Sequence, residues 1–194
     1  MNLPALSTTE IALIIAVAVV VVAGIAGLVV MRKRRTARLR TQFGGAEYAR
    51  ALAEGGSRRH GEAGLEGRAD RVEGLHIRPL ALGDRVRFAD SWRSIQGRFV
   101  DGPGGAVTEA DQLLRDVMSA RGYPVTDFDQ RAADVSVDHP LVIDNYRKAH
   151  EIALRQTRGQ ASTEDLRQAM IHYRTLFEDL AGEPEVVRAR TAAA

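Results

Sequence analysis

The stretch Ser162–Leu180, STEDLRQAMIHYRTLFEDL, carries apolar side chains at Leu166, Ala169, Met170, Tyr173, Leu176, Phe177 and Leu180. Steps of three and four residues put all of them on one face of an α-helix. Ser162 and Asp165 have the spacing of a capping box, which fixes the helix start locally. A helix with one apolar stripe must bury it against other elements, so the flanking sequence should supply partners.

Upstream, Gly159 closes a helix expected to begin at Asp138-His139-Pro140, where Asp is a good cap and proline suits the first turn. Its inward face would draw on Val142, Ile143, Tyr146, Ala149, His150 and Ala153. Asp127 to Val135 reads as a short helix with Phe128 and Ala132 inward. Val107, Ala110, Leu113, Leu114, Val117 and Met118 form another stripe, stopped by Gly122 and Pro124. Phe88, Trp92, Ile95 and Phe99 form one more, ended by the run Asp101-Gly102-Pro103-Gly104-Gly105, and Pro79 places a break near Arg78. No period-2 run long enough for a sheet occurs. The fold class is therefore all-α, with a small helical bundle over 76–181 and a disordered tail over 182–194.

Residues 43–75 hold eight glycines among Ala, Glu and Arg. Glycine inside a helix costs up to about 1 kcal/mol relative to alanine, so this segment reads as a polar helical stalk of interrupted continuity that lifts the bundle from whatever precedes it.

What precedes it is Ile11–Met31, without a charge and almost entirely Ile, Val, Leu and Ala. A helix of that length is about 31 Å long, which matches the hydrocarbon thickness of a bilayer and predicts a single-pass transmembrane helix over 11–31. A cleaved signal peptide would need a basic start and a shorter apolar run. A buried helix in a domain of this size would rarely be apolar all the way round. Arg32, Lys33, Arg34, Arg35, Arg38 and Arg40 follow at once in the basic segment 32–42, and no Lys or Arg comes before. Cationic flanks stay on the cytoplasmic side, so residues 1–10 should lie outside the cell membrane and the C-terminal part in the cytoplasm. The same six residues are the candidate membrane-surface site. Attraction to anionic headgroups is its functional reading; a topology signal alone is the plainer one. Ala12 with Ala16 and Ala23 with Gly27 have the spacing that permits close helix pairing and a homo-oligomer through the span.

Composition narrows the remaining classes. Without a single cysteine in 194 residues, disulfides, thiolate metal sites and cysteine nucleophiles are excluded. All six juxtamembrane charges are basic and only Glu10 among the acidic residues precedes residue 41, so residues 41–194 hold 21 basic and 24 acidic side chains, a formal charge of −3. The sequence pI of about 9.3 thus belongs to the anchor, and a slightly acidic body argues against nucleic acid as a partner.

His139, His150 and His172 lie in the bundle with no local ligand motif, so no metal or cofactor is expected. Ser136, Asp138 and His139 have the residue types of a hydrolytic triad but lie at a helix boundary, where capping explains them, and no nucleophile elbow occurs. Gly102–Gly105 lacks the Lys-Ser/Thr of a phosphate loop.

Leu39-Arg40-Thr41-Gln42-Phe43-Gly44 with Glu47-Tyr48 begin a longer pattern that continues in Arg98-Phe99-Val100-Asp101, Ala106-Val107, Ala110-Asp111 and Arg121-Gly122-Tyr123-Pro124. It continues further in Arg131-Ala132-Ala133-Asp134, Val137-Asp138-His139-Pro140, and Asn145-Tyr146-Arg147 with Ala149-His150. Together these resemble an uncharacterised family of bacterial single-pass membrane-anchored proteins, sometimes labelled secreted, with a C-terminal helical domain. The resemblance runs from the span to about residue 180. It implies no catalytic or cofactor residues, and Gly55-Gly56 stand where that family usually has charged residues. The expectation is a membrane protein whose cytoplasmic bundle is an interaction or scaffolding module for a protein partner. The second reading is a membrane-tethered enzyme with a polar site at Asp138, His139 and His150.

Overall fold

The computed structural model describes residues 8–124 and 127–182, with side chains from Ala18 onward. Over those residues the chain forms seven α-helices and no strand: α1 Thr8–Glu54, α2 Arg58–Glu73, α3 Leu82–Arg98, α4 Pro103–Arg121, α5 Phe128–Asp138, α6 Ile143–Thr157 and α7 Thr163–Ala181. Among the described residues no helix is long and apolar enough to cross a membrane. Side chains 11–17 of the expected span, residues 1–7 of the expected outer segment and 183–194 of the expected tail lie outside that description.

The main core is built from the stripes of the sequence. α7 packs between α4 and α6, and α3 closes the group over α4. Tyr146, Tyr173, Leu114, Val117 and Leu176 are fully buried at its centre, and Trp92 stacks on Phe177 with ring centroids 5.0 Å apart. Ser162 accepts the Asp165 N–H at 3.1 Å while Asp165 accepts the Ser162 N–H at 2.9 Å, completing the capping box. α4 has Pro103 as its first residue, so the glycine-proline run is a turn only as far as Gly102, and Gly104 and Gly105 are already helical.

One helix start differs from expectation. Asp138 ends α5 instead of capping α6, and α6 begins at Ile143 behind Val142, which makes no side-chain cap. The Asp138 carboxylate is engaged elsewhere, accepting the Tyr123 hydroxyl at 2.6 Å.

The segment expected to be a stalk is folded back on itself. α1 breaks at Gly44, whose φ of 68° and ψ of 169° suit only glycine, and 45–54 then run back beside the preceding part. A turn over Gly55–Ser57 reverses the chain again into α2, which lies along the first part of α1 in the same direction. At the crossing of α1 and α2 the backbones nearly touch. A Cβ on Gly61 would sit 2.7 Å from the Ala51 carbonyl oxygen, and one on Gly55 would sit 2.6 Å from the Gly61 nitrogen. Gly55 and Gly61, two of the glycines that weaken a straight stalk, are therefore what this close packing requires. Leu39, Phe43, Tyr48, Ala51 and Leu65 form a second core, and Val137 of α5 packs against it.

Ionic contacts lock this folded segment to the bundle. Glu47, 4% exposed, accepts Arg68 of α2 at 2.7 Å and Arg147 of α6 at 2.9 Å. Asp134 of α5, 2% exposed, accepts Arg71 of α2 at 2.9 Å and Gln130 at 2.8 Å. Residues 43–75 are thus no spacer, because a buried carboxylate holds each end against a different part of the protein.

Candidate functional site

The basic cluster lies on α1, and helical periodicity splits it. Thr36, Leu39 and Phe43 turn onto α2 and are buried, while Arg32, Lys33, Arg34, Arg38 and Arg40 stay exposed. Arg35 pairs with Glu66 of α2, and the Arg40 guanidinium lies 5.0 Å over the Tyr48 ring.

α2 starts behind Ser57, whose hydroxyl accepts the His60 N–H at 3.3 Å. Because α2 runs alongside α1, its first turn arrives next to Val29–Thr36. A cleft of about 600 Å³ opens there, lined by Val29, Arg32, Lys33 and Arg35 on one side and by Arg58 and Arg59 on the other, with Thr36 and Glu62 at its base. A second cleft of about 380 Å³ follows, between Arg34, Arg35 and Arg38 of α1 and Glu66 and Asp70 of α2.

The base of the first cleft is a closed hydrogen-bond network. Glu62 accepts the Thr36 hydroxyl at 2.7 Å, the Tyr48 hydroxyl at 2.8 Å and Arg58 Nε at 3.1 Å, and Arg58 Nη2 donates to Thr36 Oγ1 at 2.8 Å. Burial pushes the Glu62 carboxyl up, but the bonds from Thr36, Tyr48 and Arg58 outweigh it and hold it below the usual carboxylate range. The hydrogen bond to Glu62 in turn raises the Arg58 guanidinium further above its already high value. Glu62 is anionic at neutral pH and saturated by its own neighbours. Arg32, Lys33 and Arg59 make no ion pair among the described residues, which leaves the cleft with positive charge that those residues do not compensate.

The residues of the enzymatic reading are only partly brought together. Asp138 accepts Tyr123, and His139 Nδ1 pairs with Asp179, so these four form one cluster between α5 and α7. Burial and the Asp138 carboxylate drive the Tyr123 hydroxyl far above its usual range, which suits it to donate and not to ionise. His150 stacks instead on Phe128, centroids 3.6 Å apart and planes 8° from parallel, and burial lowers its pKa. His172 bonds Asn145 at 2.8 Å. Each histidine thus has its own structural neighbour, and the two clefts are lined by other residues. Among the described residues no group of three or more His, Asp or Glu side chains is placed to hold a metal.

Arg58, Arg59 and Glu62 escape the sequence reading because α2 brings them to the Arg32–Thr36 part of α1, with Arg58 and Glu62 bonding Thr36 across 22 and 26 residues. The one local signal was the Gly55-Gly56-Ser57 turn with a cap at its end, which implies a reversal of the chain. Comparison of the chain with protein-family models, curated proteins and solved structures finds no match.

Proposed function

We propose that the chain is a single-pass membrane protein, anchored by 11–31 with its N-terminus outside and its helical body in the cytoplasm, and that this body is an interaction or scaffolding module. The observation that carries the reading is the surface of α1 between Val19 and Met31. Valines, Ile25 and Leu28 are exposed on every side of that helix, with Val20 at 71% and Met31 at 70%, and among the described residues no other helix covers them. An apolar surface that encircles a helix is costly in water and stable among acyl chains. It runs directly into Arg32, the first of the basic residues that set orientation. The module reading is supported by the ionic locks that hold the bundle to α1 and by the position of His150, stacked on Phe128 apart from the cluster that holds Asp138 and His139.

The absence of cysteine makes the test direct. Single cysteines at Ser7 and at exposed Ser94 are treated with an impermeant maleimide on intact cells. Labelling at Ser7 and protection at Ser94 is the expected result, and the reverse pattern refutes the orientation.

A further inference from the structure

We propose that the first cleft between α1 and α2 binds the phosphate of an anionic lipid headgroup; this rests on the membrane reading above and adds a defined site to it. A basic flank needed only for orientation would consist of residues next to the span. Arg58 and Arg59 are not next to it in sequence. The break at Gly44 and the turn before α2 bring them back, so that two helices converge on one concavity.

Charge within the cleft fits a phosphate. Its one acidic residue, Glu62, is taken up by Thr36, Tyr48 and Arg58, and Arg32, Lys33 and Arg59 stand without a counter-ion among the described residues. Guanidinium groups reaching from two sides match the several oxygens of a phosphate. Position selects the source. Val29 is the one apolar residue in the α1 wall, so the cleft opens where the apolar surface of α1 gives way to charge, the level at which acyl chains meet headgroups.

The test uses the full chain in neutral detergent, with retention of phosphatidylglycerol and phosphatidylcholine followed by native mass spectrometry. Lys33→Gln with Arg59→Gln should weaken phosphatidylglycerol retention roughly tenfold or more, from two lost contacts near the surface. Arg38→Gln with Arg40→Gln removes equal charge from the same basic segment outside this cleft and should weaken retention only by the few-fold that diffuse attraction accounts for, clearly less than the cleft pair. Unaltered circular-dichroism melting checks the fold, and Arg32→Gln with Arg59→Gln serves as a second pair. Equal weakening by cleft and control pairs would mean a diffuse cationic collar and would overturn the site. Displacement by millimolar inorganic phosphate, with no preference for phosphatidylglycerol, would overturn the lipid assignment in favour of a free anion. Release of the protein from membranes by alkaline carbonate is a separate readout: it would refute the membrane reading itself, whereas equal effects in a membrane-retained protein refute the cleft alone.

Discussion

His150 shows how one residue links packing to pH. Its ring is held flat against Phe128, and burial disfavours the imidazolium, so its folded pKa lies below the unfolded value of about 6.5. Burial and nearby Lys148 act in the same direction on His172. Between the folded and unfolded values the unfolded chain binds more protons. The stabilisation is therefore complete above pH about 6.5 and is lost as pH falls through the folded pKa. The melting temperature should drop between pH 7.5 and pH 5, and His150→Gln with His172→Gln should flatten that drop. An unchanged slope in the double variant would remove these residues as the cause. The sequence placed His150 correctly on the inward face of α6. It could not show the Phe128 stack, because that ring comes from α5.

At the level of elements, the hairpin of α1 and α2 depends on two backbones approaching where side chains do not fit. Gly61→Ala would press a methyl group onto the Ala51 carbonyl and the Leu52 Cα, backbone atoms that cannot swing aside. Overpacking of this kind costs about 1–3 kcal/mol. Gly64→Ala, on the same helix but facing open space, should instead stabilise by up to about 1 kcal/mol through helix propensity. Denaturant melts of the two variants should therefore shift in opposite directions, and parallel shifts would refute the close crossing. Legibility differs sharply between elements. The stripe of α7, its capping box, and the stripes of α3 and α4 were readable because each is written in neighbouring residues. The hairpin was not. Propensity assigns glycine a cost in any helix, and only the position of a second helix reveals where its missing Cβ is needed. Asp138-His139-Pro140 reads ambiguously for a related reason, since the same residues suit a helix start or the exit from α5, and the Tyr123 bond that engages Asp138 comes from the far side of α5 in the chain.

For the whole molecule, the bundle and the folded segment share buried charge. A chain truncated to residues 76–182 would leave Asp134 without Arg71 and Arg147 without Glu47. Arg71 is 44% exposed and truncation opens both sites to water, so losing these charge-assisted bonds costs about 1–3 kcal/mol in all. The truncated bundle should melt about 5 °C or more below the longer chain, given several degrees per kcal/mol for domains of this size. Equal melting temperatures would mean that 43–75 contribute nothing to the bundle, as a stalk would. The candidate basic site was half legible: Arg32 to Arg40 stand out in the sequence, but the opposing wall at Arg58 and Arg59 exists only after two reversals of the chain.

Glu47 grips α2 and α6 at once from a position just beyond the break in α1. The bundle consequently has no swivel. The sides of α6 and α7 that face away from the core are fixed in azimuth around the axis of α1. Two such molecules, or one and a partner, would then meet over a narrow range of mutual angles, and the rotational freedom that tethered domains usually surrender on docking has already been removed when the chain folds.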